Sequence, residues 1–76
     1  NPSEGEATLS CKSFRSEFTK ISVYDALGRE IEFVHEGILP IGINDFTLDA
    51  SMKSEGIYFV VILTEGKSRS ISWVIK

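Results

Sequence analysis

The chain predicts an all-β fold: a small antiparallel β-sandwich of Ig-like character, with six to seven strands. Three observations carry that reading. The dominant hydrophobic period is two rather than 3.6. Turn signals separate the apolar runs at a spacing of roughly ten residues. β-Branched and aromatic residues fill those runs, and no stretch carries the periodicity of a stable helix.

The runs follow one another along the chain. In the first, Ala7, Leu9 and Cys11 face one way while Thr8, Ser10 and Lys12 face the other. In the second, Ile21 and Val23 alternate with Lys20, Ser22 and Tyr24. In the third, Ile31 and Phe33 alternate with Glu30 and Glu32. Ile41, Ile43, Phe46 and Leu48 form the fourth set, whose parity changes after Ile43, so a bulge is expected near Asn44-Asp45. The fifth, Ile57 to Leu63, is apolar at every position, the mark of a strand covered on both sides or lying at an interface. The sixth, Ile71 to Ile75, belongs to a closing strand that runs to Lys76. These alternations predict burial of Leu9, Ile21, Val23, Phe33, Tyr58, Val60 and Ile62.

The punctuation agrees with the runs. Asp25-Ala26-Leu27-Gly28 places Asp at the start of a turn and Gly at its left-handed close, which predicts a type I turn with a Gly bulge. Gly56, at the next strand boundary, is expected to sit in a left-handed or crowded backbone. Glu65-Gly66 reads as a two-residue hairpin. Gly37 to Pro40 is a longer connection, and Asp49 to Glu55 is a polar stretch with room for one helical turn.

Seventy-six residues make a single small domain, which buries only about 60% of its unfolded surface and therefore needs a well-patterned core. The formal net charge is -3, with no cluster of Lys or Arg, which argues against nucleic acid as a partner. No apolar run approaches the roughly 20 residues that span a bilayer. The opening Asn1-Pro2 reads as a turn, so the expectation is a piece excised from a longer protein.

Chemistry-bearing patterns are sparse, and no cofactor or catalytic set is predicted. Cys11, the single cysteine, alternates with Leu9 and Ala7 and reads as a small buried hydrophobe. His35, the single histidine, lacks the nucleophile, orienter or fellow ligands that catalysis or metal binding needs, so it reads as a solvent-facing or edge-strand residue. Asp25, Asp45 and Asp49 sit near turns, where carboxylates bond backbone N–H groups, and their spacing matches no calcium loop. Trp73, Tyr24, Tyr58 and Phe59 are the candidates for a sugar-stacking platform, against the plainer reading that they pack.

Several pieces in order resemble one family over nearly the whole chain. Asn1-Pro2-Ser3 precedes a first strand from Ala7 to Cys11. Ile21, Val23, Tyr24, Asp25, Gly28 and Arg29 follow an Ile-x-Val-Tyr-Asp-x-x-Gly-Arg pattern. Asp49 and Ser51 precede Gly-Ile-Tyr-Phe-Val at Gly56 to Val60, and Gly66, Val74, Ile75 and Lys76 complete the match. In these residues the chain resembles the C-terminal sorting domain, type A, of the type IX (Por) secretion system of Bacteroidota. There are departures: the family has Leu after Asp-x-Ser, where Met52 and Lys53 stand, and often a charge where Val61 stands.

The resemblance implies a non-catalytic sorting signal. It implies an upstream cargo domain carried through the periplasm to the cell surface or beyond. It implies type IX translocon components and a surface sortase-like cysteine protease as partners, with the cargo then released or joined to an anionic lipopolysaccharide. The matched positions Asn1, Pro2, Tyr24, Asp25, Gly28, Arg29, Asp49, Gly56, Tyr58, Val74, Ile75 and Lys76 are the expected sorting residues. A closing strand with a free edge suits a partner that adds a strand, and Val61 and Leu63 suit cover by that partner or by a weak homodimer. The rival readings are an Ig-like adhesive or carbohydrate-binding module and a hook-cap-type Ig-like spacer of a surface protein.

Overall fold

The computed structural model describes residues 5–51 and 53–76. They form six strands, β1 (Glu6–Ser13), β2 (Glu17–Tyr24), β3 (Glu30–Leu39), β4 (Gly42–Asp49), β5 (Gly56–Thr64) and β6 (Lys67–Ile75). Strands β1 and β4 make a two-stranded sheet; β3-β2-β5-β6 make a four-stranded one, and every pairing is antiparallel. The architecture is the predicted all-β sandwich.

The core lies where the inner faces of the two sheets meet. Leu9 and Leu48 from the smaller sheet close on Ile21, Val23, Tyr58 and Val60 from the larger. Ile21 and Val23 are fully covered, as their alternation with polar neighbours predicts. Ile62 and Cys11 pack partly buried against this cluster. Burial raises the Cys11 thiol pKa above its usual value, and the nearby Arg69 charge works against that rise.

Three expectations fail, two of them through parity. Gly37 to Pro40 is not a longer connection, because β3 runs on to Leu39 and only Pro40 and Ile41 separate it from β4. Phe33 is 57% exposed rather than buried. The β2–β3 register slips once between Ile21 and Ser22 and again between Val23 and Tyr24. The first slip makes Val34 the extra residue, so Phe33 lands opposite Ser22 on the outer face while Val34 packs against the core. The expected bulge at Asn44-Asp45 is absent, because β1 and β4 pair without a break from Glu6↔Asp49 to Ser13↔Gly42. Ile41 and Ile43 instead point outward, and Asn44 takes the inward position. Its amide nitrogen donates to the Pro40 and Gly42 carbonyls at 3.1 and 3.4 Å, which makes a polar residue tolerable there.

The outer faces of the two sheets differ. β1 and β4 present Thr8, Ser10, Asp45 and Thr47 to solvent, with Ser10 Oγ donating to Asp45 at 2.7 Å. The outer face of the larger sheet carries Phe18, Phe33, Ile38, Ile57, Leu63 and Val74, all exposed. The apolar run of β5 is therefore covered on its inner side alone, through Tyr58, Val60 and Ile62. Ser22 Oγ is buried on that outer face and has no hydrogen-bond partner among the described residues.

Candidate functional site

The sorting-motif residues are scattered in sequence and gathered in space. Tyr24 pairs with Phe59 at the end of β2, and Gly56 pairs with Ile75 at the start of β5. Glu6 pairs with Asp49, and the Ala50 N–H donates to the Gly5 carbonyl at 2.9 Å. These registers bring the β2–β3 turn, the β4–β5 loop, the start of β1 and the end of β6 to one pole of the sandwich. The opposite pole holds the β1–β2 connection and the Glu65-Gly66 hairpin, whose Gly66 has φ 80°. Asn1 and Pro2, like Ser3 and Met52, lie outside the described residues.

The Tyr24-Asp25-x-x-Gly28-Arg29 segment is a self-contained cap. The Gly28 N–H donates to the Asp25 carbonyl at 3.0 Å, and the Asp25 N–H donates to the Arg29 carbonyl at 2.9 Å. Gly28 has φ 87°, the left-handed residue that the predicted type I turn with a Gly bulge requires. Asp25 Oδ1 accepts from the Leu27 and Arg29 N–H groups, each at 2.9 Å, and Oδ2 accepts from Arg29 Nε at 2.8 Å. Those bonds, led by the Arg29 backbone N–H, hold the Asp25 carboxyl below the usual carboxylate range. Beside the turn, the Tyr24 hydroxyl reaches Glu30 at 3.4 Å.

The Asp49-x-Ser51 segment is a second cap of the same kind. Asp49 Oδ1 accepts from Ser51 Oγ at 2.6 Å and from the Ser51 N–H at 2.9 Å, an Asx turn. The hydroxyl, then the backbone N–H, lowers the Asp49 carboxyl pKa. In the polar stretch that follows, the Lys53 N–H donates to the Ala50 carbonyl at 3.1 Å, so one tight turn stands where a helical turn had room.

Lys53, a departure from the family pattern, is the hub of this pole. Its Nζ donates to Glu32 Oε1 at 2.6 Å and to the Asp49 carbonyl, and it stands 5.5 Å from the centre of the Trp73 ring. Its side chain is largely buried and ties the β4–β5 loop to β3 and β6. The signal was an unpaired Lys three residues before a strand rich in apolar side chains, opposite a Glu at an inward β3 position. Below it, the Tyr58 hydroxyl donates to the Ser54 carbonyl at 2.6 Å, pinning the loop to the core. Of the two alternatives expected at Gly56, the backbone one holds, with φ 154°, and crowding is not present, since the nearest atom to a Cβ there is 4.0 Å away on the Tyr58 ring.

The remaining candidates resolve into packing and local bonds. Tyr58 and Trp73 pack together on the inner side, ring centres 6.2 Å apart, while Tyr24 and Phe59 pair on the outer side. The four aromatics thus lie on opposite faces and form no common platform. His35 sits half-buried on the edge strand β3, 5.2 Å from the Phe46 ring, with Nε2 donating to the Gly37 carbonyl at 3.3 Å. Among the described residues no group of three or more His, Cys, Asp and Glu is placed to hold a metal ion. No helix of the described residues is long and apolar enough to cross a membrane.

Val74, Ile75 and Lys76 finish β6 at the same pole, with Ile75 packed against the core and Val74 and Lys76 exposed. Gly66 apart, the described residues of the expected sorting set lie on or beside this pole, in a capped turn, a pinned loop or the end of the last strand. Comparison with curated proteins and with solved structures gave no match. A family model described as the secretion system C-terminal sorting domain matches residues 1–76. The chain belongs to that family, the type IX sorting domains that mark proteins for export across the outer membrane to the cell surface or beyond.

Proposed function

We propose that this domain is a non-catalytic address label whose reading surface is the pole formed by the Asp25–Arg29 turn, the Asp49–Ser54 loop and the end of β6. The observation that carries the reading is convergence. Motif pieces from Tyr24 to Lys76 meet at one end of the sandwich, and the opposite end contributes only Gly66 to the pattern. A translocon component docks on this pole and engages the free edge of β6, which offers unpaired backbone donors and acceptors. An upstream cargo domain is carried with it, and a surface sortase-like protease then removes the sorting domain.

Exposed turns held by their own hydrogen bonds suit this task. They present a fixed shape without needing the partner to order them, which lowers the entropic cost of recognition. The apolar outer face of the larger sheet is a second surface for the same machinery or for weak self-association.

The direct test fuses the chain behind a folded reporter with a periplasmic signal in a type IX-competent host. The reporter is expected at the cell surface or in the medium. A reporter that stays periplasmic, while a proven sorting domain exports the same cargo, refutes the reading. Pairing Asp25→Ala with Arg29→Ala is expected to reduce export, whereas Ser70→Ala, on the outer face away from the pole, is expected to leave it unchanged.

A further inference from the structure

The two sheets are unequal, and the inequality leaves a slot. Neighbouring strands lie about 4.8 Å apart, so a two-stranded layer covers only about half of a four-stranded one. β4 lies against β3, and β1 is the other strand of its layer. The strand left uncovered is therefore β6. Its inward-facing residues Lys67, Arg69 and Ile71 are all exposed, although Trp73 and Ile75 further along pack on the core.

A cleft of about 720 Å³ opens here between β1 and the inner face of the larger sheet, reaching from Arg69 and Ile71 of β6 across Ile62 and Thr64 of β5 to Thr19 of β2 and Leu39 of β3. Its lining is informative in its parity. From β1 it takes consecutive residues, Ser10 to Ser13, whereas from β6 it takes alternate ones, Lys67, Arg69 and Ile71. Consecutive residues line a space when a strand turns its edge to it, and alternate residues when a strand turns its face. The cleft thus meets β1 along its unpaired edge and β6 on its inner face. Among the described residues β1 pairs with β4 alone, which leaves its other edge with free backbone groups there.

Charge identifies what fits. The chain as a whole is acidic, yet four of its eight basic residues, Lys12, Arg15, Lys67 and Arg69, line this cleft against the carboxylates Glu17 and Glu65. Arg15 and Glu17 pair with each other at 3.6 Å, which leaves Lys12, Lys67 and Arg69 against Glu65. Arg69 stands on the inner side of β6, opposite Ile62 of β5. Apolar surface from Ile71 and Ile62 supplies the floor.

We infer that the seam between β1 and β6 accepts an extended strand from a partner protein, which pairs with the free edge of β1 and sets acidic side chains against Lys67 and Arg69. An inserted strand would turn the two-stranded sheet into a three-stranded one and bury the uncovered part of β6. Only alternate residues of such a strand face the larger sheet, so the set that faces inward is acidic opposite Lys67 and Arg69 and apolar opposite Ile71 and Ile62, and the outward set is polar. The inference stands on the seam alone and does not depend on how the sorting pole is read.

The test titrates the isotope-labelled chain with a short Val/Glu peptide in which Glu, Glu and Val alternate with Thr, so that both Glu and the Val share one face, and with its Val/Lys counterpart in which Lys replaces Glu. The Val/Glu peptide is expected to shift the amides of residues 10–13 and 67–71 and to slow hydrogen exchange along β1. Reversing charge with Lys67→Glu and Arg69→Glu is expected to weaken that peptide by roughly tenfold and to favour the Val/Lys one. Both side chains are exposed, and the neutral pair Lys67→Gln and Arg69→Gln serves if the reversed one does not fold, with loss of discrimination between the two peptides expected. Equal binding of both peptides by the unaltered chain overturns the inference. So does a response confined to the outer sheet face, no response at millimolar peptide, or an equal response to inorganic sulfate, which would mark a simple anion site.

Discussion

Gly28 and Asp25 show how much of this fold is decided by single residues. At Gly28 the surroundings are empty, with nothing within 4 Å of the place a Cβ would take, so only the backbone objects to a side chain. With φ at 87°, Gly28→Val is expected to cost about 1–3 kcal/mol through strain alone. Gly28→Asn should cost much less, because Asn tolerates the left-handed region. Thermal melts of the two variants check this, and equal melting of Gly28→Val and the parent would disprove the strain.

The Asp25 carboxylate makes a prediction of a different kind. Its folded pKa is lowered by bonds from Arg29 and Leu27. A depressed pKa contributes stability above the unfolded value of about 3.9, and that contribution is lost as pH falls through the lower folded value. The stability gap between the parent and Asp25→Asn should therefore narrow as melts are taken from pH 5 down to about pH 2. A gap that stays constant over that range would show that the carboxylate charge adds nothing to the turn. Lys53 belongs to the same scale. Lys53→Met keeps the stem beside Trp73 but leaves Glu32 Oε1 and the Asp49 carbonyl without their ammonium donor, and is expected to cost about 1–3 kcal/mol in denaturant unfolding.

At the scale of the element, β3 and β4 matter most, because their apolar pattern misleads. Ile31 and Phe33 alternate with glutamates as an inward pair would, and Ile41 and Ile43 do the same beside Asn44. In β3 two slips reset which residue faces the core, and in β4 a hydrogen-bonded Asn occupies an inward place. The consequence is a contrast in cost. Ile21→Ala, at a fully buried β2 position, is expected to lose about 2–5 kcal/mol. Phe33→Ser, on the exposed outer face, is expected to stay within about 0.5 kcal/mol of the parent. Denaturant midpoints decide between this assignment and the alternation read from sequence, since a large loss at Phe33 would return it to the core.

For the whole molecule, the sandwich separates two surfaces: a pole of capped turns that carries the family pattern, and a basic seam at the side and far end. Deleting Ser72–Lys76 is expected to abolish reporter export, but it also removes Trp73 from Tyr58 and Ile75 from the core. Loss of fold is then a competing cause. Lys76→Glu with a short polar tail leaves that packing in place, because Lys76 is exposed. It is expected to block export while melting at the parent temperature. Export that persists with the tail would remove the chain end from the reading surface.

By itself the sequence determined what local chemistry can determine. The strand pattern of Leu9, Ile21, Val23 and Val60 follows from period-two alternation, which any sheet must obey. The Asp25–Gly28 turn follows from the needs of its own few residues, and the ordered motifs determined the family. Only the tertiary structure decided the rest. It chose the face of Phe33, because a bulge is a negotiation between two strands and leaves no mark in one. It made Lys53 a hub, because its partners Glu32 and Trp73 are distant in sequence and meet only when both sheets are in register. It also gathered the motif pieces at one pole and left β6 uncovered, since strand order and layer width are properties of the assembled sheets and of no single strand.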